Sequence, residues 1–242
     1  MSAETIEVQT ADGTADAYLS KPDGDGRRPG VLLLMDAFGV RPQIESMADR
    51  IASRGYVVLA PNLFYRAGRE PVGTMADASD PDARSRLFQK LKPLMDELTP
   101  ERLAADGDAY LARLEAEGDG SIAITGYCLG VRVGLRIASA HPDRVVAIGG
   151  FHGGGLVTAD PDSPHLSLGS LRAQVYLGFA DNDQSPQRLL EAAGEGRGGA
   201  GAGVRERLGV ARRQARGDRD PDRCAELLAG VQQPGREPGL LL

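Results

Sequence analysis

The sequence is poor in cysteine, since its 242 residues include only Cys128 and Cys224. Two cysteines cannot build a disulfide framework. Neither lies in a CxxC pair or in a cysteine and histidine cluster of the zinc-binding kind. We therefore expect a reduced thiol at Cys128 and no metal site.

The chain also lacks an excess of positive charge and a long apolar segment. Its formal net charge is −6, whereas nucleic-acid and anionic-membrane partners require basic patches. No window approaches the roughly 18 apolar residues that span a bilayer. The opening residues 1–13 have neither the basic nor the apolar region of a signal peptide. These absences predict a soluble, cytoplasmic protein with no nucleic-acid or membrane partner.

What the sequence does contain is an alternation of short apolar runs and helical patterns. The runs "GVLLLMD" and "YVVLA" are typical of strands buried on both faces, and between them lies a helical pattern that begins at Pro42. Similar runs follow in "SIAIT", "RVVAIGGF" and "AQVYLGFA", while Asp12-Gly13 predicts a hairpin near the N-terminus. Strands that alternate with helices predict the α/β class, with a doubly wound, mostly parallel sheet and helices on both faces.

The last fifth of the chain has a different composition. Residues 191–242 include eleven glycines and nine arginines but no lysine, histidine or aromatic residue. Such a segment has little to bury, so we predict no buried strand in it and an exposed edge on the preceding sheet. Two interpretations are open, an out-of-frame reading of a GC-rich gene and a genuine low-complexity tail. We divide the chain into an α/β domain at 1–190 and an atypical, poorly ordered Gly/Arg/Ala-rich segment at 191–242.

The stretch "GYCLG", residues 126–130, is the main candidate for chemistry. A strand that turns sharply into a helix needs small residues two positions before and after the turning residue, because side chains there would collide. Gly126 and Gly130 meet that need around Cys128. The pattern GxCxG is the cysteine form of the GxSxG nucleophile elbow, and the alternative is an inert, buried cysteine. The N-terminus of the following helix favours a thiolate.

Three blocks, in this order, resemble the dienelactone hydrolase family of α/β-hydrolases: "PGVLLLMDAFGVRPQIESMADRIASRGYVVLAPNLFYRAG", "GYCLG" and "VYLGFADNDQSP". The resemblance runs from about residue 5 to about residue 190. It implies cleavage of a lactone or another small carboxylic ester by a Cys–His–Asp triad, without a metal or organic cofactor. The implied partner is therefore a small-molecule ester or lactone.

The resemblance also assigns the catalytic side chains. Cys128 matches the nucleophile. Asp183 matches the triad acid, which holds the histidine in the correct tautomer, and the neighbouring Asp181 is a competing candidate. For either aspartate the alternative is an Asx-turn or helix-capping residue, which is common after a strand.

Further roles follow from the same resemblance. Asp36 matches a glutamate that lies next to the cysteine and takes part in controlling its protonation. The main-chain N–H groups of Ala37 and Leu129 match the oxyanion hole. Arg86, with Arg84 as an equal alternative, matches an arginine that binds the substrate carboxylate. An exposed surface arginine is the competing interpretation there.

The triad histidine has no counterpart in the expected place. His141, His152 and His165 all precede Asp183, and residues 166–242 contain no histidine. We expect His141 to cap a helix and His165 to lie in a loop. His152 follows a buried strand at its carboxyl end, where ligands of open α/β sheets bind, so we expect it to line the pocket. Without a general base, activity should fall by about 10²–10⁴-fold.

Three functions are therefore compatible with the sequence. The first is a hydrolase of the dienelactone hydrolase type, with activity impaired by the absent histidine. The second is a non-catalytic relative that at most binds small carboxylic esters. The third is a redox-sensing protein that uses the Cys128 thiol without a resolving partner.

Overall fold

Eight strands form one mixed sheet in the part of the chain that the structure, a computed structural model, describes: residues 1–69, 81–180, 183, 185–194 and 208–213. The strands are β1 (Ser2–Thr10), β2 (Gly13–Lys21), β3 (Gly30–Leu34), β4 (Val57–Pro61), β5 (Ile122–Tyr127), β6 (Val145–Phe151), β7 (Gln174–Ala180) and β8 (Leu208–Arg213). The α-helices are α1 (Pro42–Ala52), α2 (Pro81–Asp96), α3 (Pro100–Glu117), α4 (Leu129–Ala140) and α5 (Ser185–Gly194). None of these helices combines the length and apolar character needed to cross a bilayer.

The strand order is β1-β2-β4-β3-β5-β6-β7-β8. β1 and β2 form an antiparallel hairpin around Asp12-Gly13, and β2 pairs antiparallel with β4. The remaining pairs, from β4–β3 to β7–β8, run parallel. The predicted hairpin and the predicted doubly wound, mostly parallel sheet are confirmed.

The centre of the sheet is covered on both faces. Every residue of β3, β4 and β5 is buried, and successive side chains of a strand point to opposite faces. The predicted helix start is also confirmed, since Pro42 begins α1. The side chain of Thr99 caps α3 by accepting a hydrogen bond from the Arg102 N–H at 3.4 Å.

A buried ion pair ties the segment after β4 to helix α3. Asp106 is only 2% exposed, and its carboxylate accepts hydrogen bonds from Arg66 Nη1 at 2.9 Å and from the Tyr65 hydroxyl at 3.0 Å. The same guanidinium donates to Asp12, in the turn of the hairpin, at 2.7 Å. One cation therefore holds the hairpin, the segment after β4 and α3 together.

The structure corrects the prediction for the edge of the sheet after β7. The prediction of no buried strand in residues 191–242 was wrong, because β8 pairs in parallel with β7 along Val175–Ala180 and its Leu208 is buried. The expected exposed edge on β7 is therefore covered by β8. Composition did not reveal this strand because strand pairing uses main-chain groups that every residue except proline carries.

Candidate active site

Four neighbouring parallel strands end at one edge of the sheet, and a candidate residue follows each of them. β3, β5, β6 and β7 are adjacent in this order. Asp36, Cys128, His152 and Asp183 come shortly after their respective carboxyl ends. This edge is where open α/β sheets bind their ligands. The structure thus brings these four residues to one side of the molecule.

Cys128 lies at the bend between β5 and α4. Its φ is 53° and its ψ is −108°, a conformation that residues with a Cβ rarely adopt. Its N–H donates to the carbonyl oxygen of Phe151 at 3.0 Å, which ties the bend to the end of β6. The cysteine is partly buried. The predicted strand-to-helix elbow is confirmed as a feature of the backbone.

The two glycines of the elbow leave no room for side chains. A Cβ on Gly126 would overlap the carbonyl oxygen of Gly130, and a Cβ on Gly130 would overlap the carbonyl oxygen of Leu34. Both obstacles are main-chain atoms, so they cannot rotate away as a flexible side chain would. The requirement for small residues at these two positions is therefore a packing requirement.

Two main-chain donors face the sulfur of Cys128. The N–H groups of Leu129, in the first turn of α4, and of Ala37, after β3, both lower the pKa of its thiol. These are the N–H groups that the resemblance assigns to the oxyanion hole, and that role stays a prediction. An atom held between them is in a position to be stabilised when it carries negative charge.

Burial nevertheless raises the pKa of the Cys128 thiol above its ordinary value. The Leu129 N–H lowers the pKa, the Asp36 carboxylate raises it, and the Arg132 guanidinium and the Ala37 N–H lower it again. The effect of burial dominates, because the thiolate loses more hydration than these donors replace. The expected preference for a thiolate at the start of the helix is therefore outweighed, and the group is a thiol at neutral pH.

The Asp36 carboxylate is held by Arg41. Its Oδ1 accepts from Arg41 Nη1 at 2.7 Å and from the Phe38 N–H at 3.0 Å, and its Oδ2 accepts from Arg41 Nη2 at 2.7 Å. The side chains are only 14% and 11% exposed. The guanidinium also lies 5.4 Å from the centroid of the Phe38 ring. The charge of the Asp36 carboxylate raises the pKa of the Cys128 thiol.

His152 leaves the end of β6 with a positive φ of 45°. Its N–H donates to the carbonyl oxygen of Gly178 on β7 at 2.8 Å. The imidazole ring lies 6.3 Å, between centroids, from the ring of Tyr127. The structure therefore places His152 at the strand ends, next to the residue that precedes Cys128.

Asp183 is partly buried and lies in a turn after β7, where its N–H donates to the carbonyl oxygen of Ala180 at 3.0 Å. Asp181, the competing candidate, lies outside the described residues. The catalytic role of Asp183 therefore stays a prediction, supported by its position beside the strands that carry Cys128 and His152.

The other two histidines have ring partners outside the four residues at the strand ends. His141 is the C-cap of α4, as predicted, and its Nε2 pairs with the carbonyl oxygen of Ala104 at 2.8 Å. His165 lies in a short 3₁₀ helix, Pro164–Ser170, with its Nδ1 at 2.6 Å from the Ser163 hydroxyl. Within the described residues, no group of three or more His, Cys, Asp or Glu side chains is placed to hold a metal ion.

The predicted substrate arginine is not brought to the site. The side chain of Arg86 is exposed on α2. No hydrogen bond or ion pair joins it to the residues at the strand ends in the described part of the chain. The side chain of Arg84 lies outside that part.

Sequence analysis missed two arginines of the site: Arg132, which acts on the thiol, and Arg41, which holds the Asp36 carboxylate. Arg132 follows Cys128 by four residues, a spacing that puts two positions on the same face of a helix. Arg41 follows Asp36 by five residues, across the turn before α1. The helical spacing could have revealed Arg132, whereas the pairing of Arg41 with Asp36 depends on the shape of the turn.

The chain is similar to proteins of known sequence. A relative named "Carboxymethylenebutenolidase" from Rhodococcus opacus is 28% identical over 130 residues, which cover 54% of this chain and 46% of the relative. One named "Putative carboxymethylenebutenolidase" from Salmonella typhi is 26% identical over 200 residues, covering 79% of this chain and 69% of the relative. The chain spans about half the length of several curated relatives that it matches, 46% for the one from Yersinia pestis.

Solved structures share the fold. A crystal structure titled "Putative Dienelactone Hydrolase" from Klebsiella pneumoniae superposes with a TM-score of 0.74 at 22% identity, covering 96% of this chain and 99% of that one. At that identity the likeness shows the α/β-hydrolase fold alone. The sequence itself matches the dienelactone hydrolase family over residues 15–191, well over half of its length. The chain therefore belongs to the dienelactone hydrolase family.

Proposed function

We propose that this chain is a hydrolase of lactones or small carboxylic esters, with the thiol of Cys128 as its nucleophile. The observation that carries the proposal is the placement of the sulfur at a strained elbow, facing the N–H groups of Leu129 and Ala37. A buried structural cysteine needs neither the unusual backbone nor the two donors. The names of the family and of its relatives support the same class of reaction.

The proposed reaction has two stages. The Cys128 thiolate attacks the carbonyl carbon of the ester, so that an S–C bond forms and the C–O bond to the leaving group breaks. The leaving oxygen takes a proton, and water then hydrolyses the thioester to release the carboxylic acid and the thiol. During both stages the N–H groups of Ala37 and Leu129 stabilise the negative charge on the carbonyl oxygen.

Proton transfer limits this reaction. The raised pKa of the thiol leaves little thiolate at neutral pH, and no histidine follows residue 165 to act as general base. Asp183 would orient such a base. General base catalysis contributes typically 10²–10⁴-fold to the rate. We therefore propose a slow hydrolase, whose activity is lower by about that factor than that of an enzyme with a complete triad.

The absent histidine favours a second candidate, a non-catalytic relative that at most binds small carboxylic esters. Its site would use the same donors without turnover. The third possibility raised by the sequence, a redox-sensing thiol, is disfavoured, because redox-sensing cysteines have low pKa values whereas burial raises that of Cys128. A cytoplasmic location stays a prediction of the sequence.

Hydrolysis of para-nitrophenyl acetate, with and without added imidazole, tests the proposal. We expect slow turnover that imidazole accelerates, since a small base can enter where the histidine is missing. The variant Cys128→Ala should lose both activities and also measures the background reaction of imidazole with the ester. The matched control, Cys224→Ala, should retain them. Turnover unchanged in Cys128→Ala would refute the nucleophile, and lactone binding without turnover would favour the second candidate.

A further inference from the structure

The turn after β3 links the Asp36 carboxylate to a donor that faces the sulfur. Asp36 Oδ1 accepts from the Phe38 N–H at 3.0 Å, and the Asp36 carbonyl oxygen accepts from the Gly39 N–H at 3.4 Å. Ala37 lies inside this turn, and its own N–H lowers the pKa of the Cys128 thiol. The conformation that Asp36 imposes on the turn therefore decides where the Ala37 N–H points.

Arg41 fixes this turn at two places. Its guanidinium donates one hydrogen bond to each carboxylate oxygen of Asp36, both at 2.7 Å. Nη1 also donates to the carbonyl oxygen of Gly39 at 3.1 Å. Paired N–H donors on a carboxylate constrain its orientation as well as its position. The pair is also largely shielded from water, with side chains only 11% and 14% exposed. Arg41 therefore restrains both the side chain and the main chain of the turn.

Arg41 also supplies charge. The Asp36 carboxylate lies close enough to the thiol to disfavour the thiolate, and a neighbouring cation reduces that effect. Other charged or titratable groups at this edge of the sheet include Arg132 from α4, His152 after β6 and Asp183 after β7. Arg66, after β4, is paired with Asp106 and Asp12. Of the groups that act on the sulfur, only Asp36 is paired with an arginine on its own turn.

We propose that Arg41 is a positioning residue for Cys128: it clamps the Asp36 carboxylate so that the turn aims the Ala37 N–H at the sulfur, and it offsets the charge of that carboxylate. The proposal rests on the proposed function only where it treats the thiol as a nucleophile. Its geometry is independent of which ester is cleaved.

The test is the rate of alkylation of Cys128 by iodoacetamide as a function of pH, in a Cys224→Ala background. Because a nearby charge moves a pKa by about 1–3, we expect Arg41→Gln to reduce the rate at pH 8 about tenfold. Asp36→Asn should increase it. The alkylation rate of Arg41→Lys should lie between those of the wild type and Arg41→Gln. An ammonium keeps the charge but cannot donate to both carboxylate oxygens as a guanidinium does. The matched control is Arg50→Gln, an exposed arginine on α1, which should change nothing.

A merely structural role would behave differently. If Arg41 were only structural, Arg41→Gln would have a lower melting temperature and an unshifted pH profile of alkylation. That result would overturn the proposal. An unchanged profile in Arg41→Lys and Asp36→Asn would overturn it as well, even if Arg41→Gln does not fold.

Hydrolysis provides a second readout. If Cys128 is the nucleophile, Arg41→Gln should lower kcat for para-nitrophenyl acetate and leave KM nearly unchanged, since the clamp acts on the thiol and the oxyanion donor. A rise in KM with unchanged kcat would contradict this. Alkylation does not require turnover, so the two proposals can fail separately. Hydrolysis that persists in Cys128→Ala would refute the proposed function and would leave the alkylation result for Arg41 unaffected.

Discussion

Cys128 and His152 follow directly after two adjacent parallel strands, and both have a positive φ, 53° and 45°. The residues before them, Tyr127 and Phe151, are register partners whose rings stack 5.4 Å apart. Since neighbouring strands lie about 4.8 Å apart, the two backbones leave the sheet side by side. No other non-glycine residue in the described ranges has a positive φ. Backbone strain therefore coincides with the candidate site.

Strain at Cys128 leads to a prediction about stability. Glycine tolerates a positive φ and alanine does not, so we expect Cys128→Gly to be more stable than Cys128→Ala by about 1 kcal/mol. Urea denaturation of both variants measures the difference. The control is Ala140→Gly at the exposed end of α4, which should lose about 0.5–1 kcal/mol because glycine is unfavourable in a helix. If Cys128→Gly were less stable than Cys128→Ala, backbone strain at position 128 would be disproved.

The raised pKa of the Cys128 thiol predicts slow alkylation at neutral pH. Because the thiolate is the reactive form, the rate with iodoacetamide should keep rising above pH 8.5, about the ordinary pKa of cysteine. Arg132→Gln should shift the profile to still higher pH, since this guanidinium lowers the pKa. The profile of Asp108→Asn, a change on the surface of α3, should match that of the wild type. Half-maximal reaction well below pH 8.5 would show that burial is not the dominant effect.

The glycines of the elbow should not tolerate a side chain. Gly130→Ala would push a methyl group into the Leu34 carbonyl, so we expect a loss of about 3 kcal/mol, at the upper end for overpacking. Gly154→Ala is the matched control, because a Cβ there meets nothing within 4 Å. Thermal unfolding of both variants measures the contrast. Equal melting temperatures would mean that the strand and helix can separate at little cost.

The buried ion pair between Arg66 and Asp106 should matter more for stability than surface pairs do. Asp106→Asn leaves a largely buried guanidinium without its main partner, and we expect a loss of about 3 kcal/mol. Asp108, two residues further on α3, pairs with Arg144 but is 68% exposed. Asp108→Asn should therefore cost less than about 1 kcal/mol. Urea denaturation distinguishes the two, and similar losses would argue against burial as the cause.

Much of the fold could be predicted because its signals are local. β3, β4 and β5 are buried at every residue, so each is a continuous apolar run. Pro42 and Thr99 mark helix starts through their own backbone and side-chain chemistry. β8 could not be predicted, because its sequence, LGVARR, lacks the continuous apolar run of the central strands.

The candidate site, like the fold, has features that the local sequence predicts and features that it does not. The spacing of Gly126, Cys128 and Gly130 was sufficient to predict a tight bend, since that bend is built from consecutive residues. The clamp of Arg41 on Asp36 was not predictable, because it depends on the path of the intervening turn.

The amino-acid sequence by itself determined the alternation of strands and helices up to β7, the elbow at Cys128 and the absence of a histidine after residue 165. These features depend on local patterns or on composition alone. Only the tertiary structure decided the protonation state of the thiol, the partner of Asp36 and the covering of β7 by β8. Burial and electrostatic interaction depend on which groups surround an atom, and the path of the folded chain decides which groups those are.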